Sequence, residues 1–100
     1  MLSGGVHRFG WTLVRNSLRD PRYRAVISRL IEIRDELDLS QRELAERLGQ
    51  SRSYVSKVEI FERRIDFVQL VEWLRALGAD ERKFLSEMLK DIPAHKRKRG

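Results

Sequence analysis

Two adjacent stretches decide the fold: Leu39-Ser40-Gln41-Arg42-Glu43-Leu44-Ala45-Glu46-Arg47-Leu48-Gly49 and, after Gln50, Ser51-Arg52-Ser53-Tyr54-Val55-Ser56-Lys57-Val58-Glu59. Ser40 and Glu43 have capping-box spacing. The hydroxyl accepts the N–H three residues on, and the carboxylate accepts the N–H of the cap. Leu44, Ala45 and Leu48 then share the inner face of a short helix. Gly49 stops it, because glycine takes the left-handed conformation of a helix end without steric cost. Ser51 caps the next helix. Tyr54 or Val55 and then Val58 point inward, and Arg52, Ser53, Ser56 and Lys57 point outward.

Outward from this pair the punctuation continues. Asp20-Pro21 is a cap followed by a proline tolerated at the first helical position. It predicts a helix from about Pro21 to Leu37, with Val26, Ile27, Leu30, Ile31, Arg34 and Leu37 on one stripe. Glu62-Arg63-Arg64 reads as a loop. Asp66 with Gln69 starts a fourth helix, lined by Val68, Val71, Leu74 and Leu77 and widened by Phe67, Leu70 and Trp73. Phe67 and Trp73 are expected in the core. Gly78 ends that helix and Asp80 caps a fifth, whose stripe is Phe84, Leu85, Met88, Leu89 and Ile92 before Pro93. The pattern is all-α, four to five short helices without a convincing strand. Residues 1–19 lack periodicity and are expected as a flexible arm, 20–92 as the domain and 93–100 as a basic tail.

The chain has 100 residues, 41% apolar and 36% charged, enough for one modest core. With no cysteine, a disulfide-stapled module, a thiolate zinc site and a cysteine nucleophile are all excluded. His7 and His95 stand alone, so no metal or other cofactor is expected. No apolar run approaches membrane-spanning length, and the default expectation is a cytoplasmic, nucleoid-associated protein. The net charge is +6, concentrated at the ends: five Arg in residues 1–24 and Lys96-Arg97-Lys98-Arg99 in the tail. Basic ends suit a polyanionic partner, nucleic acid before membrane.

Two short helices joined by a glycine-containing turn form a helix-turn-helix unit, here about residues 40–60. Small Ala45 lets the second helix cross the first. The polar outer face of that second helix suits a major groove about 12 Å wide. On these residues, and on Leu74-Arg75-Ala76-Leu77-Gly78, the stretch 25–79 resembles the Cro/phage-repressor class of helix-turn-helix domains, the xenobiotic-response-element-like regulators. The resemblance implies a lambda-repressor-like bundle that binds double-stranded DNA, most often as a homodimer. It places Arg52, Ser53, Ser56 and Lys57 at base edges. It places Gln41, Ser51 and Tyr54 at phosphates, with Gln41 also bracing a base-reading side chain and Tyr54 being alternatively a core residue. Arg42 is a further phosphate candidate from its position beside the motif. The chain departs from the family after Glu59, where a polar residue and Gly are usual and Ile60-Phe61 stand instead. Phe takes positive φ only at a cost. The loop is therefore expected to continue as helix for a turn or to use Phe61 as an anchor or a dimer contact, with Arg63 and Arg64 supplying charge to phosphates.

Phe84, Met88 and Ile92 are expected either to close the core or to form a dimer interface. The functional expectation is a sequence-specific DNA-binding regulator, a repressor, reading the groove with helix 51–60. The alternative is an antitoxin or adaptor that binds a toxin through residues 1–19 as well as DNA. No paired carboxylates, nucleophile or phosphate loop suggests an enzyme.

Overall fold

In the computed structural model, which describes residues 17–92, a 3-10 turn at Ser17–Arg19 leads into five α-helices. These are α1 (Pro21–Glu36), α2 (Gln41–Leu48), α3 (Arg52–Glu59), α4 (Phe67–Leu77) and α5 (Glu81–Leu89). Among the described residues there is no strand. The sequence dictates the starts. Asp20, Ser40, Ser51, Asp66 and Asp80 each accept a backbone N–H of the first turn. Ser40/Glu43 and Asp66/Gln69 close full capping boxes. The expected tail 93–100 and most of the expected arm lie outside the described residues. The arm's last residues are a turn, whose Leu18 carbonyl accepts a hydrogen bond from Arg24 Nε at 2.9 Å.

The helix ends share one device. After α1, α2, α3 and α4 a residue turns left-handed: Asp38 (φ 58°), Gly49 (67°), Phe61 (63°) and Gly78 (70°). At each end the following N–H reaches back to a carbonyl five residues earlier: Leu39 to Arg34, Gln50 to Ala45, Glu62 to Lys57 and Ala79 to Leu74. This is the Schellman arrangement, which satisfies carbonyls that would otherwise lack a partner. Phe61 corrects the expectation of a continued helix. It accepts the left-handed strain, costing about 1–2 kcal/mol, and its ring packs on the core beneath the Arg24 guanidinium at 4.5 Å. The anchor half of the expectation therefore describes it.

One core joins all five helices: Ile27 and Leu30 of α1, Leu44 and Ala45 of α2, Tyr54, Val55 and Val58 of α3, Trp73, Leu74 and Leu77 of α4, and Phe84 of α5. Trp73 is core as expected, with its indole N–H donating to Tyr54 Oη at 3.2 Å. Phe67 is not: it is 65% exposed, as is its neighbour Val68. Both sit in the first turn of α4, ahead of the part that meets α3. Leu37 is also exposed, lying beyond the last turn of α1.

Two measurements check these ends. Alanine ordinarily beats glycine in structured positions, but at Phe61 the order should reverse. Phe61→Ala keeps the positive-φ strain that Phe61→Gly relieves, so chemical denaturation should find the Gly variant about 1 kcal/mol more stable than the Ala variant. Asp20 is held at a pKa of about 2, below 3.8, by its hydrogen bonds with the Arg22 side chain and N–H. A carboxylate lowered on folding stabilises fully above pH 3.8, and that contribution is lost as pH falls through about 2. Acid melting curves of Asp20→Asn should lack this component and converge with wild type at the lowest pH.

Candidate nucleic-acid interface

The site is built from the backs of its helices outward. Val55 and Val58 fix the inner face of α3, and Ala45 lets α2 lie close across it. Arg52, Ser53 and Lys57 are therefore exposed on the opposite side, and Ser56 is half-buried beside them. The start of α3 comes next to the start of α2. Ser40, Gln41, Arg42 and Arg52 line one open groove. The first N–H groups of α2, at Gln41 and Arg42, have no acceptor within the helix and give this groove a positive end.

Beneath the groove is the network that fixes α2 and α3 to α1. Arg34 Nε donates to Glu59 Oε2 at 2.7 Å and Nη2 donates to Oε1 at 2.9 Å. The side chains of the pair retain 12% and 5% of their exposure. Gln41 Nε2 donates to the same Glu59 Oε1 at 2.9 Å, and Arg34 Nη1 donates to the Leu39 carbonyl at 2.7 Å. Glu59 raises the pKa of Arg34 through these bonds. The expected role of Gln41 thus has an unexpected partner. Its amide braces a buried acid at the end of α3, and its residue still borders the groove. Sequence reasoning placed Arg34 on an apolar stripe and gave Glu59 no role. A charged residue on each buried face was the available signal.

The loop after α3 is stapled three ways. Phe61 lies under Arg24. The Arg63 guanidinium lies 5.0 Å from the Tyr54 ring, and the Ile65 N–H donates to Tyr23 Oη at 3.1 Å. Arg63 and Arg64 are exposed in it. Tyr54 departs from the phosphate-contact expectation. It is a buried core residue whose hydroxyl accepts from Trp73 and whose ring carries Arg63. Ser51 uses its hydroxyl oxygen to cap α3 and remains exposed. Arg42, Arg52, Lys57, Arg63 and Arg64 form no ion pair among the described residues, whereas Arg29, Arg34 and Arg75 all do. Among the same residues Arg24, Arg82, Lys83 and Lys90 are unpaired as well, but the five named first lie together on α2, α3 and the loop that follows, with no pairing carboxylate, and leave a field there for an anion. Phe84, a dimer-interface candidate, is corrected: it is 3% exposed and belongs to its own chain's core. Met88 is half-buried against that core, and Ile92 is exposed. No group of acidic or histidine residues suited to a metal occurs among the described residues, nor a helix long and apolar enough to cross a membrane.

A helix-turn-helix family model matches residues 30–84. The chain belongs to the XRE-like helix-turn-helix family. Its members are DNA-binding regulators of transcription, and this chain has their all-α bundle. An XRE-family-like protein from Pseudomonas syringae pv. tomato str. DC3000 is 34% identical, with 81% of this chain and 99% of that one covered and a TM-score of 0.71. The restriction-modification controller protein C.Esp1396I, solved as a tetramer in complex with its natural 35-base-pair operator, is 25% identical over 71% of this chain and 90% of that one, at a TM-score of 0.58. Its wild-type structure is 25% identical over 75% and 92%, also at 0.58. No curated protein sequence matches significantly.

Removing one partner of a buried ion pair strands the other. Glu59→Ala should therefore cost about 3–5 kcal/mol in urea unfolding, and Arg34→Ala a similar amount. Arg34→Met with Glu59→Leu together should recover most of that loss, because no charge is then left buried.

Proposed function

We propose that this chain is a sequence-specific transcription regulator that represses by occupying DNA as a homodimer. Helix α3, with Ile60 following it, enters the major groove. Arg52, Ser53, Ser56 and Lys57 face base edges. Arg52 or Lys57 pairs with guanine O6 and N7, and the serines adapt to neighbouring bases. Gln41, Arg42, Ser51, Arg63 and Arg64 take phosphates and set the register. The observation that carries this reading is the groove shared by Ser40, Gln41, Arg42 and Arg52. There, the positive end of α2 and the first outward side chain of α3 meet without a carboxylate among the lining residues.

Homodimerisation follows from the way such sites are read. One α3 spans a few base pairs, and a two-fold pair reads two half-sites roughly 34–36 Å apart. The likeness to a controller protein solved on its operator supports a DNA-bound assembly. No enzymatic role is proposed: Ser40, Gln41, Arg42 and Arg52, which line the groove, include no general base. The antitoxin alternative rested on residues 1–19, which lie mostly outside the described residues, and no observation favours it.

Selection from a random duplex library tests the reading. An inverted repeat should be enriched. Arg52→Ala should weaken binding to it by about 5- to 150-fold and relax preference at one position in each half-site. Arg64→Ala should weaken all duplexes alike and reduce the slope of log affinity against log salt by about 0.9 per half-site. Failure to enrich any sequence, with wild-type affinity retained in Arg52→Ala, would contradict sequence reading by α3.

A further inference from the structure

We infer that Ile60 is a specificity-determining residue, whose side chain packs on the C5-methyl group of a thymine in each half-site. The inference rests on the base-reading role of α3 proposed above and adds to it a contact of different chemistry. Ile60 follows the last residue of α3, yet its N–H still donates to the Ser56 carbonyl at 3.0 Å. The helical register therefore runs through it. Ser53, Ser56, Lys57 and Ile60 stand at i, i+3, i+4 and i+7, so they share one side of the helix.

The fold requires this side chain to face outward. Glu59 before it is turned inward to Arg34, and Phe61 after it is turned inward to the core beneath Arg24. Rotating the chain to bury Ile60 would break the buried ion pair and pull the Phe61 ring off the core. Ile60 is accordingly 55% exposed. Among the described residues it is the one large apolar side chain exposed on α3 or its C-terminal cap. It takes no part in the core, and a polar side chain would suit the fold equally. The isoleucine is explained by what covers it from outside.

The surroundings identify that cover. The N–H groups of Glu62 and Arg63 both donate to the Lys57 carbonyl, at 2.8 and 3.1 Å, which folds the loop back against the last turn of α3. Lys57, Arg63 and Arg64 therefore flank Ile60, and Glu62 is the one exposed acid of residues 57–64. A second copy seated on Ile60 would bring two such basic rims together and be repelled, whereas a polyanion is attracted. In the major groove every base edge offers hydrogen-bonding groups, and thymine adds a methyl group. The isoleucine side chain has neither donor nor acceptor. Against a polar base edge it would strip water without replacing its hydrogen bonds. Against the thymine methyl it removes two apolar surfaces from water. Ile60 lies eight residues beyond Arg52, roughly 12 Å along the helix axis. Its thymine is therefore roughly three or four base-pair steps from the base that Arg52 reads.

Replacing single thymines of the selected duplex by deoxyuridine deletes the methyl and leaves every hydrogen-bonding group in place. At one position of a half-site, away from the position that Arg52→Ala relaxes, this should weaken binding of the full-length wild type by about 3- to 10-fold. Ile60→Ser should weaken binding to the thymine duplex and lose its sensitivity to deoxyuridine at that position. Its salt slope should match wild type, since no phosphate contact is removed. Its urea midpoint and its sedimentation as free protein should also stay at wild-type values, because the side chain lies outside the core. Wild-type binding that is indifferent to every deoxyuridine, or an Ile60→Ser variant that keeps the sensitivity, overturns the assignment while leaving base reading by α3 intact. So does altered sedimentation of Ile60→Ser, which would give the side chain to a second copy. Failure to enrich any duplex, with wild-type affinity retained in Arg52→Ala, overturns the base-reading proposal and this one with it.

Discussion

The crossing of α2 and α3 depends on one buried ion pair. Arg34 reaches from α1 to Glu59 at the end of α3 with two parallel hydrogen bonds, and Gln41 at the start of α2 joins the same carboxylate. Three helices are thereby held at one point. Apolar burial is non-directional, whereas a two-pronged guanidinium–carboxylate contact fixes orientation as well as distance. The orientation of Arg52 and Lys57 relative to the start of α2 is set by this pair. Its worth lies in fixing geometry more than in net stability, because the desolvation of two charges offsets much of their attraction.

The loop between α3 and α4 uses strain in a related way. In this fold a glycine would turn the chain left-handed at position 61 freely. Phe61 makes the same turn at a cost and returns an anchored ring, a cation above it from Arg24, and a rigid exit toward Ile65. Arg63 is held over Tyr54 as well. The two arginines of the loop are thus presented from a braced segment, which would lower the entropy lost on binding an anion. Arg42, Arg52, Lys57, Arg63 and Arg64 carry unpaired charge on this loop and on α2 and α3, whereas Arg22, Arg29, Arg34 and Arg75 each lie beside a carboxylate.

Much of this was legible in the sequence. Helix starts are local chemistry: Asp20, Ser40, Ser51, Asp66 and Asp80 cap because their side chains reach N–H groups two or three residues away. The left-handed stops at Gly49 and Gly78 are equally local. The groove-lining set of Ser40, Gln41, Arg42 and Arg52 follows once the two short helices are recognised as a crossing pair. Long-range facts were not legible. Glu59 ends its helix with no partner in local sequence, and only the fold shows that it faces Arg34. Phe67 and Phe84 are both large aromatic residues near helix starts, yet the first helical residue of α4 is exposed and the fourth of α5 plugs the core. Periodicity gives a face but does not say where along the helix a neighbour begins. Tyr54 shows the same limit, since its ring could face core or rim until Trp73 is placed opposite it.

Backbone amide chemical shifts of the isotope-labelled full chain, followed during titration with a selected duplex, show whether the faces of α2 and α3 with the Arg63-Arg64 loop contact DNA. Large perturbations should cluster at Ser40–Arg42, at Ser51–Lys57 and at Arg63–Arg64, with α5 little changed. Perturbations confined to residues 1–16 and 93–100, with those three segments unmoved, would contradict that contact.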